Sequence, residues 1–122
     1  MAKATVLIIE DDKTIRTGLT RLMEAEGYTP LFAENGVEGV KLALEHKPDL
    51  IICDIAMPEM NGYEVLAKIK QSPSLAAKPF FFLSAKITKE DEAKGLAAGA
   101  TGYLKKPMWP EDILKVVKQH LR

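Results

Sequence analysis

Five residues with side chains able to do chemistry stand at or just past the ends of short apolar runs. They are two carboxylates after the first run, followed along the chain by a carboxylate, a hydroxyl and an ammonium: Glu10, Asp11, Asp54, Ser84 and Lys106. Each run is predicted to be a buried parallel strand, and open α/β sheets place their sites beside the carboxyl ends of such strands. We therefore expect the five side chains to share one crevice. Such a set is suited to holding a hydrated divalent cation beside a phosphoryl group.

The elements that must position these residues follow from an alternation of apolar runs with stretches of helical period, repeated five times. This alternation is typical of a doubly wound parallel sheet. In the first two predicted helices the residues expected to face the core are Ile15, Leu19, Leu22 and Met23, and then Val37, Val40 and Leu44. Asn35 with Glu38 is typical of the N-terminal cap of the second helix.

The last three predicted helices differ in how strongly apolar residues anchor them. Their expected core residues are Val65, Leu66 and Ile69 in the third helix, and Ile113, Leu114, Val117 and Leu121 in the fifth. Gly62 opens the third helix, and Pro110 suits the first turn of the fifth. The fourth helix begins with the capping-box pair Thr88 and Asp91, but Leu96 is its only large apolar residue. A helix with so little apolar anchoring is expected to shift at low cost.

Length and composition limit the functions open to the chain. Its 122 residues suit one domain, residues 1–122, with a core that needs no disulfide. The formal charge is zero and the basic residues are dispersed, so we expect no direct binding of nucleic acid. Cys53, the single cysteine, lies in an apolar run and fits a packing role in a reducing compartment. No early segment has the apolar length of a signal peptide or a membrane span, which favours a cytoplasmic protein without membrane contact.

In order and spacing, these motifs resemble the receiver domain of two-component response regulators, in particular the single-domain chemotaxis type. The resemblance covers nearly the whole chain. It rests on Glu10-Asp11, on the segment 54–62, on Ser84-Ala85 and on the segment 99–107. It implies a flavodoxin-like (βα)5 fold, with a parallel five-stranded sheet in the order 2-1-3-4-5.

The resemblance also implies a role for each carboxylate. Asp54 would be the phosphoacceptor, since a carboxylate can act as a nucleophile toward phosphorus, although a lone aspartate at a strand end is more often a turn cap. Mg²⁺ would be bound directly by Asp11 and Asp54, through water by Glu10, and by the backbone carbonyl of Ala56. Asp12 is better explained as the N-terminal cap of the first helix.

The remaining site residues are expected to hold the phosphoryl group or to respond to it. The hydroxyl of Ser84 and the backbone N–H of Ala85 can donate to phosphate oxygens. Alternation along the last strand and the resemblance both select Lys106, rather than Lys105, as the cationic group. The resemblance makes Tyr103 the switch aromatic, which would swing inward when the Ser84 hydroxyl moves toward phosphate.

Three further expectations concern the rim of the site. The resemblance implies that the peptide bond between Lys106 and Pro107 is cis. Ala56 and Lys86 depart from the commoner side chains of the family, at two positions that tune the lifetime of the phosphate. The sequence leaves the sign of their net effect open.

The function implied is that of a phosphorelay switch, which catalyses only its own phosphorylation and dephosphorylation. Its donor would be a sensor histidine kinase or a histidine phosphotransfer protein. The surface of the fourth helix, fifth strand and fifth helix would then control binding of a downstream protein. Two alternatives stay open: a receiver fragment that regulates a DNA-binding or hybrid-kinase output domain outside this chain, and an interaction module that works without phosphorylation.

Two other classes of protein are disfavoured by particular residues. An enzyme of the haloacid-dehalogenase type needs a second acid two residues after its nucleophile, and Ala56 stands there. A flavin-binding module on the same fold would need a hydroxyl- and glycine-rich phosphate loop after the first strand. Glu10-Asp11-Asp12 occupies that place and has the opposite electrostatic character.

Overall fold

The computed structural model describes residues 3–85, 87–106 and 109–121, and within them five strands alternate with five helices. The strands are β1 (Thr5–Ile9), β2 (Thr29–Ala33), β3 (Leu50–Asp54), β4 (Phe80–Ser84) and β5 (Gly102–Lys105). The helices are α1 (Lys13–Ala25), α2 (Gly36–His46), α3 (Gly62–Lys70), α4 (Lys89–Ala97) and α5 (Pro110–His120). No helix in these ranges is both long and apolar enough to cross a membrane.

The five strands form one parallel sheet in the order β2-β1-β3-β4-β5, which confirms the expected topology. The register aligns the carboxyl ends of the central strands, because Ile9 of β1 pairs with Cys53 of β3. Asp54 in turn pairs with Leu83 of β4. The residues that follow β1 therefore lie beside the end of β3, as the strand-end pattern predicts.

The sheet is covered on both faces, and each face has its own cluster of buried apolar side chains. One cluster joins β1, β3 and β4 to α2 and α3, and its α3 members are Val65, Leu66 and Ile69. The other cluster joins the opposite face of the sheet to α1 and α5, and its helical members are Leu19, Met23, Ile113 and Val117. The predicted core stripes of α1, α3 and α5 therefore pack on the sheet, with Leu22, Leu114 and Leu121 at the margins.

Helix starts follow the predicted capping residues. Side-chain oxygens of Asp12, Asn35 and Thr88 accept hydrogen bonds from backbone N–H groups three residues later. The carboxylate of Asp91 in turn accepts a hydrogen bond from the backbone N–H of Thr88, which completes the capping box of α4. Only Gly95 of α4 is buried, and Leu96 is mostly exposed, so α4 is the helix least anchored by apolar contacts.

The predicted core face of α2 is correct at Val40, which packs partly buried against the core, and wrong at Val37 and Leu44. Val37 and Leu44 are 56% and 49% exposed, while Gly36, Gly39 and Ala43 face the core. The reason is the close approach of α2 to β1, since a Cβ placed on Gly39 would lie only 2.5 Å from the Ile9 side chain. Val37 and Leu44 are therefore turned away from the sheet, while Val40 and Leu42 pack at the margin of the core.

Candidate phosphoryl and cation site

Three carboxylates meet at the carboxyl end of the sheet. Oxygen atoms of Glu10, Asp11 and Asp54 all lie within 4.8 Å of one another. Glu10 and Asp54 are buried, whereas Asp11 is exposed at the mouth of the crevice. Like charges at such separations repel strongly away from bulk water, so this cluster is unfavourable without a cation.

Lys106 supplies one positive charge to this cluster. Its Nζ lies 2.7 Å from Oε1 of Glu10 and 3.4 Å from Oδ1 of Asp54. Lys105, one residue earlier, is exposed. Burial lowers the pKa of Lys106, but its contacts with Glu10 and Asp54 outweigh that effect and raise the pKa overall. The ammonium is therefore charged at neutral pH and bridges two of the three carboxylates.

The pKa of Asp54 is raised by its burial and by the charge beside it. Burial raises the pKa of this carboxyl from its usual range to about 7, and the neighbouring charge of Glu10 adds to the increase. Lys106 opposes the shift but does not cancel it. Near neutral pH, Asp54 is therefore a carboxyl group poised between its protonated and ionised forms.

The donor set fits a hard divalent cation. Carboxylate oxygens are the ligands that Mg²⁺ takes from proteins, together with water and phosphate oxygens. Among the described residues, the buried Oε1 of Glu10 has the Lys106 ammonium, 2.7 Å away, as its one cationic partner. Three acids facing one lysine leave a local excess of negative charge, which a divalent cation would neutralise.

Further predicted residues complete the lining of the same crevice. Ala56, Ser84 and Ala85 line it together with the charged groups, and so does Asp12. The backbone N–H of Lys106 donates to the carbonyl of Ser84 at 2.7 Å, which ties the end of β5 to the end of β4. The structure thus brings together, in one crevice, the residues that the sequence predicts as phosphoacceptor, as cation ligands and as hydrogen-bond donors to phosphate. Lys86 and the bond from Lys106 to Pro107 lie outside the described residues, so the cis prediction stays a prediction.

Tyr103 lies away from the crevice, between β5 and α4. Its hydroxyl donates to the backbone carbonyl of Asp91 and lies 3.3 Å from the hydroxyl of Tyr63. Burial, followed by the contact with Tyr63, raises the pKa of Tyr103. Lys94 stands over the Tyr63 ring, 4.2 Å from its centre. The switch aromatic named from sequence is therefore hydrogen-bonded to α4, and the contribution of Tyr63 was not anticipated.

Arg16 is a second residue that sequence analysis missed. Its guanidinium is buried and donates to the backbone carbonyls of Glu10 and Asp11, at 3.0 and 3.4 Å. A signal was present, because Arg16 stands three residues before Leu19 and seven before Met23, on the buried face of α1. A charged residue on an otherwise apolar stripe indicates a buried polar contact.

Comparisons with known proteins agree with this architecture. A sequence model described as the response regulator receiver domain matches residues 6–118. The probable transcriptional regulator ycf29 of Pyropia yezoensis is 38% identical over 92% of this chain, but the match covers 50% of ycf29. Protein PilH of Pseudomonas aeruginosa is 36% identical, and the match covers 93% of this chain and 94% of PilH.

Among solved structures, the chemotaxis protein CheY4 of Vibrio cholerae superposes with a TM-score of 0.95 at 32% identity, covering 98% of this chain and 100% of CheY4. The chain spans about half the length of the first curated relatives that it matches. From its sequence, its sheet order and its structural neighbours, the chain belongs to the response regulator receiver domain family and is a receiver domain of two-component signalling.

Proposed function

We propose that this chain is a phosphorylation-operated switch in which Asp54 accepts the phosphoryl group. The observation that carries the proposal is the position of the Asp54 carboxylate, 3.4 Å from the Lys106 ammonium and within 4.8 Å of the carboxylates of Glu10 and Asp11. An aspartate that only capped a turn at a strand end would not require a lysine and two further carboxylates beside it. The arrangement suits a nucleophile that must meet a negatively charged phosphoryl group.

The proposed donor is a phosphohistidine of a sensor histidine kinase or of a histidine phosphotransfer protein. An oxygen of Asp54 attacks phosphorus, the P–O bond forms, and the P–N bond to the imidazole breaks. The histidine leaves as a neutral imidazole, because its other ring nitrogen takes a proton from solvent before the P–N bond breaks. Lys106, the hydroxyl of Ser84 and the backbone N–H of Ala85 receive the phosphoryl oxygens, because all three residues line the crevice.

Mg²⁺ is the proposed cofactor, held directly by Asp11 and Asp54, through water by Glu10, and by the backbone carbonyl of Ala56. When bound, the cation supplies positive charge that offsets the repulsion between the carboxylates and the phosphoryl group. Its binding also favours the ionised form of Asp54, whose pKa is otherwise raised to about 7. The protein would catalyse only its own gain and loss of this phosphoryl group.

The proposed output is a rearrangement of α4, β5 and α5 that controls binding of a downstream protein. Support comes from the weak apolar anchoring of α4, in which only Gly95 is buried, and from the hydrogen bond of Tyr103 to the carbonyl of Asp91. Contacts of the phosphoryl group with Ser84 and Lys106 exist in one arrangement of the loops and not in the other, so phosphorylation biases the equilibrium.

We propose further that residues 1–122 act as one receiver domain in the cytoplasm. Two settings are supported by different relatives. PilH is matched over 94% of its length, which favours a stand-alone switch. The match to ycf29 covers 50% of that protein, which favours a receiver that regulates an output domain elsewhere in a longer chain.

Intact mass spectrometry after incubation with acetyl phosphate tests the acceptor and the cation together. The wild-type protein should gain one phosphoryl group in the presence of Mg²⁺, and Asp54→Ala should gain none. Asp12→Asn is the matched control, since asparagine caps a helix as well as aspartate does and the residue lines the same crevice. An adduct on Asp54→Ala, or none on wild type together with failure to bind a beryllofluoride mimic, would reject Asp54 as the acceptor.

Amide hydrogen exchange tests the output surface separately. Addition of beryllofluoride and Mg²⁺ should change exchange rates in α4 and β5 more than in α2. Unchanged rates in α4 and β5, with the mimic demonstrably bound, would leave a phosphoacceptor without the proposed output surface.

A further inference from the structure

Arg16 connects α1 to the turn that carries two of the three carboxylates. One of its guanidinium nitrogens, Nη1, donates to the carbonyls of Glu10 and Asp11. The other, Nη2, lies 3.7 Å from Oε1 of Glu34, which follows β2. Through these contacts one buried side chain reaches the β1–α1 turn and the end of β2.

The contacts of Arg16 to the two carbonyls are its main interactions. The Glu34 side chain is 67% exposed, and an ion pair in such a position contributes little. A buried guanidinium without partners is strongly unfavourable, so the two backbone carbonyls are what make its burial tolerable. These hydrogen bonds therefore fix both the Arg16 side chain and the backbone of the β1–α1 turn.

The backbone of Glu10 is also fixed from its other side. Its N–H donates to the carbonyl of Ala33 at 3.1 Å, while its own carbonyl accepts from Arg16 at 3.0 Å. The side chain of Glu10 is therefore presented from a peptide anchored in two directions. A small rotation of this turn would move the carboxylates of Glu10 and Asp11 relative to Asp54.

We propose that Arg16 is a positioning residue for the divalent-cation site, which it serves by fixing the backbone of Glu10 and Asp11. The inference rests on the proposed function, because it assumes that these carboxylates bind the cation. Arg16 would act by orienting the backbone that carries these carboxylates, and its positive charge would make no favourable contribution to cation binding. Groups that orient metal ligands in this way commonly change metal affinity by about tenfold or more when they are removed.

Geometry and charge predict opposite effects, which makes the proposal testable. A positive charge near the crevice repels Mg²⁺, so a role through charge alone predicts that Arg16→Gln tightens Mg²⁺ binding and that Arg16→Lys leaves it unchanged. Lysine keeps the charge but lacks the planar guanidinium, whose Nη1 donates to both carbonyls while Nη2 faces Glu34. The positioning role predicts that both variants weaken Mg²⁺ binding, by about tenfold.

Isothermal titration with Mg²⁺ alone measures the affinity directly and needs no phosphoryl donor. Arg21, which is exposed on the same helix, gives the matched pair Arg21→Lys and Arg21→Gln, for which affinity should stay within about twofold of wild type. Circular dichroism and thermal unfolding establish that each variant is folded. Arg16→Lys, the more conservative change, carries the test if Arg16→Gln does not fold.

The outcomes separate this inference from the function on which it rests. Failure of the wild-type protein to bind Mg²⁺, or equal binding by wild type and Asp54→Asn, would reject the cation site itself. Normal wild-type binding with unchanged affinity in Arg16→Lys, or tighter binding in Arg16→Gln, would reject the positioning role alone. Weaker binding in both Arg16 variants and normal binding in both Arg21 variants would support it.

Discussion

Replacement of Asp54 by asparagine is expected to stabilise the cation-free protein at neutral and alkaline pH. Asp54 is only 5% exposed and lies beside Glu10, so its ionised form is held at an energetic cost. Asparagine keeps the shape of the side chain and removes the charge. Lys106 retains its 2.7 Å contact with Glu10, so the substitution leaves no buried cation unpaired.

The sign and size of the effect follow from the pKa of Asp54. The value rises from 3.8, the ordinary value, to about 7 in the folded protein, so between these limits the folded state binds more protons than the unfolded state. The free energy of unfolding of wild type therefore falls as the pH rises from about 4 to about 7. At roughly 1.4 kcal/mol per pKa unit, the whole difference is about 4 kcal/mol, and we take about 2 to 4 kcal/mol as the expected gain for Asp54→Asn at pH 8.

Urea unfolding at pH 4.5 and pH 8, in the presence of a chelator, measures this difference. For a domain of this size each kcal/mol corresponds to about 3–5 °C in Tm, so thermal unfolding gives a second readout. Wild type and Asp54→Asn should have similar stability at pH 4.5 and should diverge at pH 8. Asp12→Asn, a change of the same chemistry at the exposed cap of α1, should produce no such pH-dependent gain.

Three results would refute the reasoning. Asp54→Asn could be less stable than wild type at pH 8, its gain could be the same at both pH values, or Asp12→Asn could reproduce it. Each would mean that the buried charge of Asp54 is not what destabilises the cation-free protein. Addition of Mg²⁺ at pH 8 should in addition stabilise wild type and leave Asp54→Asn nearly unchanged, because a ligand that binds only the folded state raises its stability.

Further predictions concern the switch region and the charge balance of the site. Gly95→Ala should destabilise the protein by about 1–3 kcal/mol, because the new methyl group would overlap the phenol of Tyr103; Gly18→Ala, which meets no atom within 4 Å, should instead stabilise it by up to about 1 kcal/mol. Urea unfolding distinguishes the two, and a gain at both positions would contradict the contact. Lys106→Met should tighten Mg²⁺ binding roughly fivefold, because it removes a cation that competes for Glu10, and weaker binding in calorimetry would contradict this. Amides of α4 should exchange faster than those of α3, which buries four residues against one in α4.

The sheet and its strand-end residues were predictable because they depend on a strong local signal. Continuous apolar runs mark strands buried on both faces, and a polar residue that ends such a run must lie where the strand leaves the core. This reasoning located Asp54 at the end of β3 and Glu10 after β1. The capping residues Asp12 and Thr88 were predictable for a similar reason, because a cap is decided within four residues of chain.

The orientation of α2 was not predictable from its own residues. An amphipathic stripe points to the larger apolar side chains, and in α2 these include Val37 and Leu44, which the structure exposes. The face that packs on β1 is chosen by the space available beside Ile9, and only glycine fits at position 39. Such a choice depends on a partner distant in sequence, so a pattern within one helix does not contain it.

Arg16 was missed for a different reason, since a search for apolar stripes passes over a charged residue on the stripe. The hydroxyl contact between Tyr63 and Tyr103 was missed because the two residues are 40 positions apart in the chain. Both contacts depend on which side chains the fold brings together. They lie around the site and not at its chemical centre, where residue type together with position at a strand end was informative.

The charges that lower the stability of this domain also give it the capacity to respond. The ammonium of Lys106 lies 2.7 Å from Glu10 and farther from Asp54, at 3.4 Å. A cation that binds the carboxylates would weaken the hold of Glu10 on the ammonium, because it neutralises the charge that attracts Lys106. The lysine would then be available to a phosphoryl group on Asp54. A better neutralised crevice would make a more stable protein, but cation and phosphate would then bring it less free energy, and less would be available to move α4.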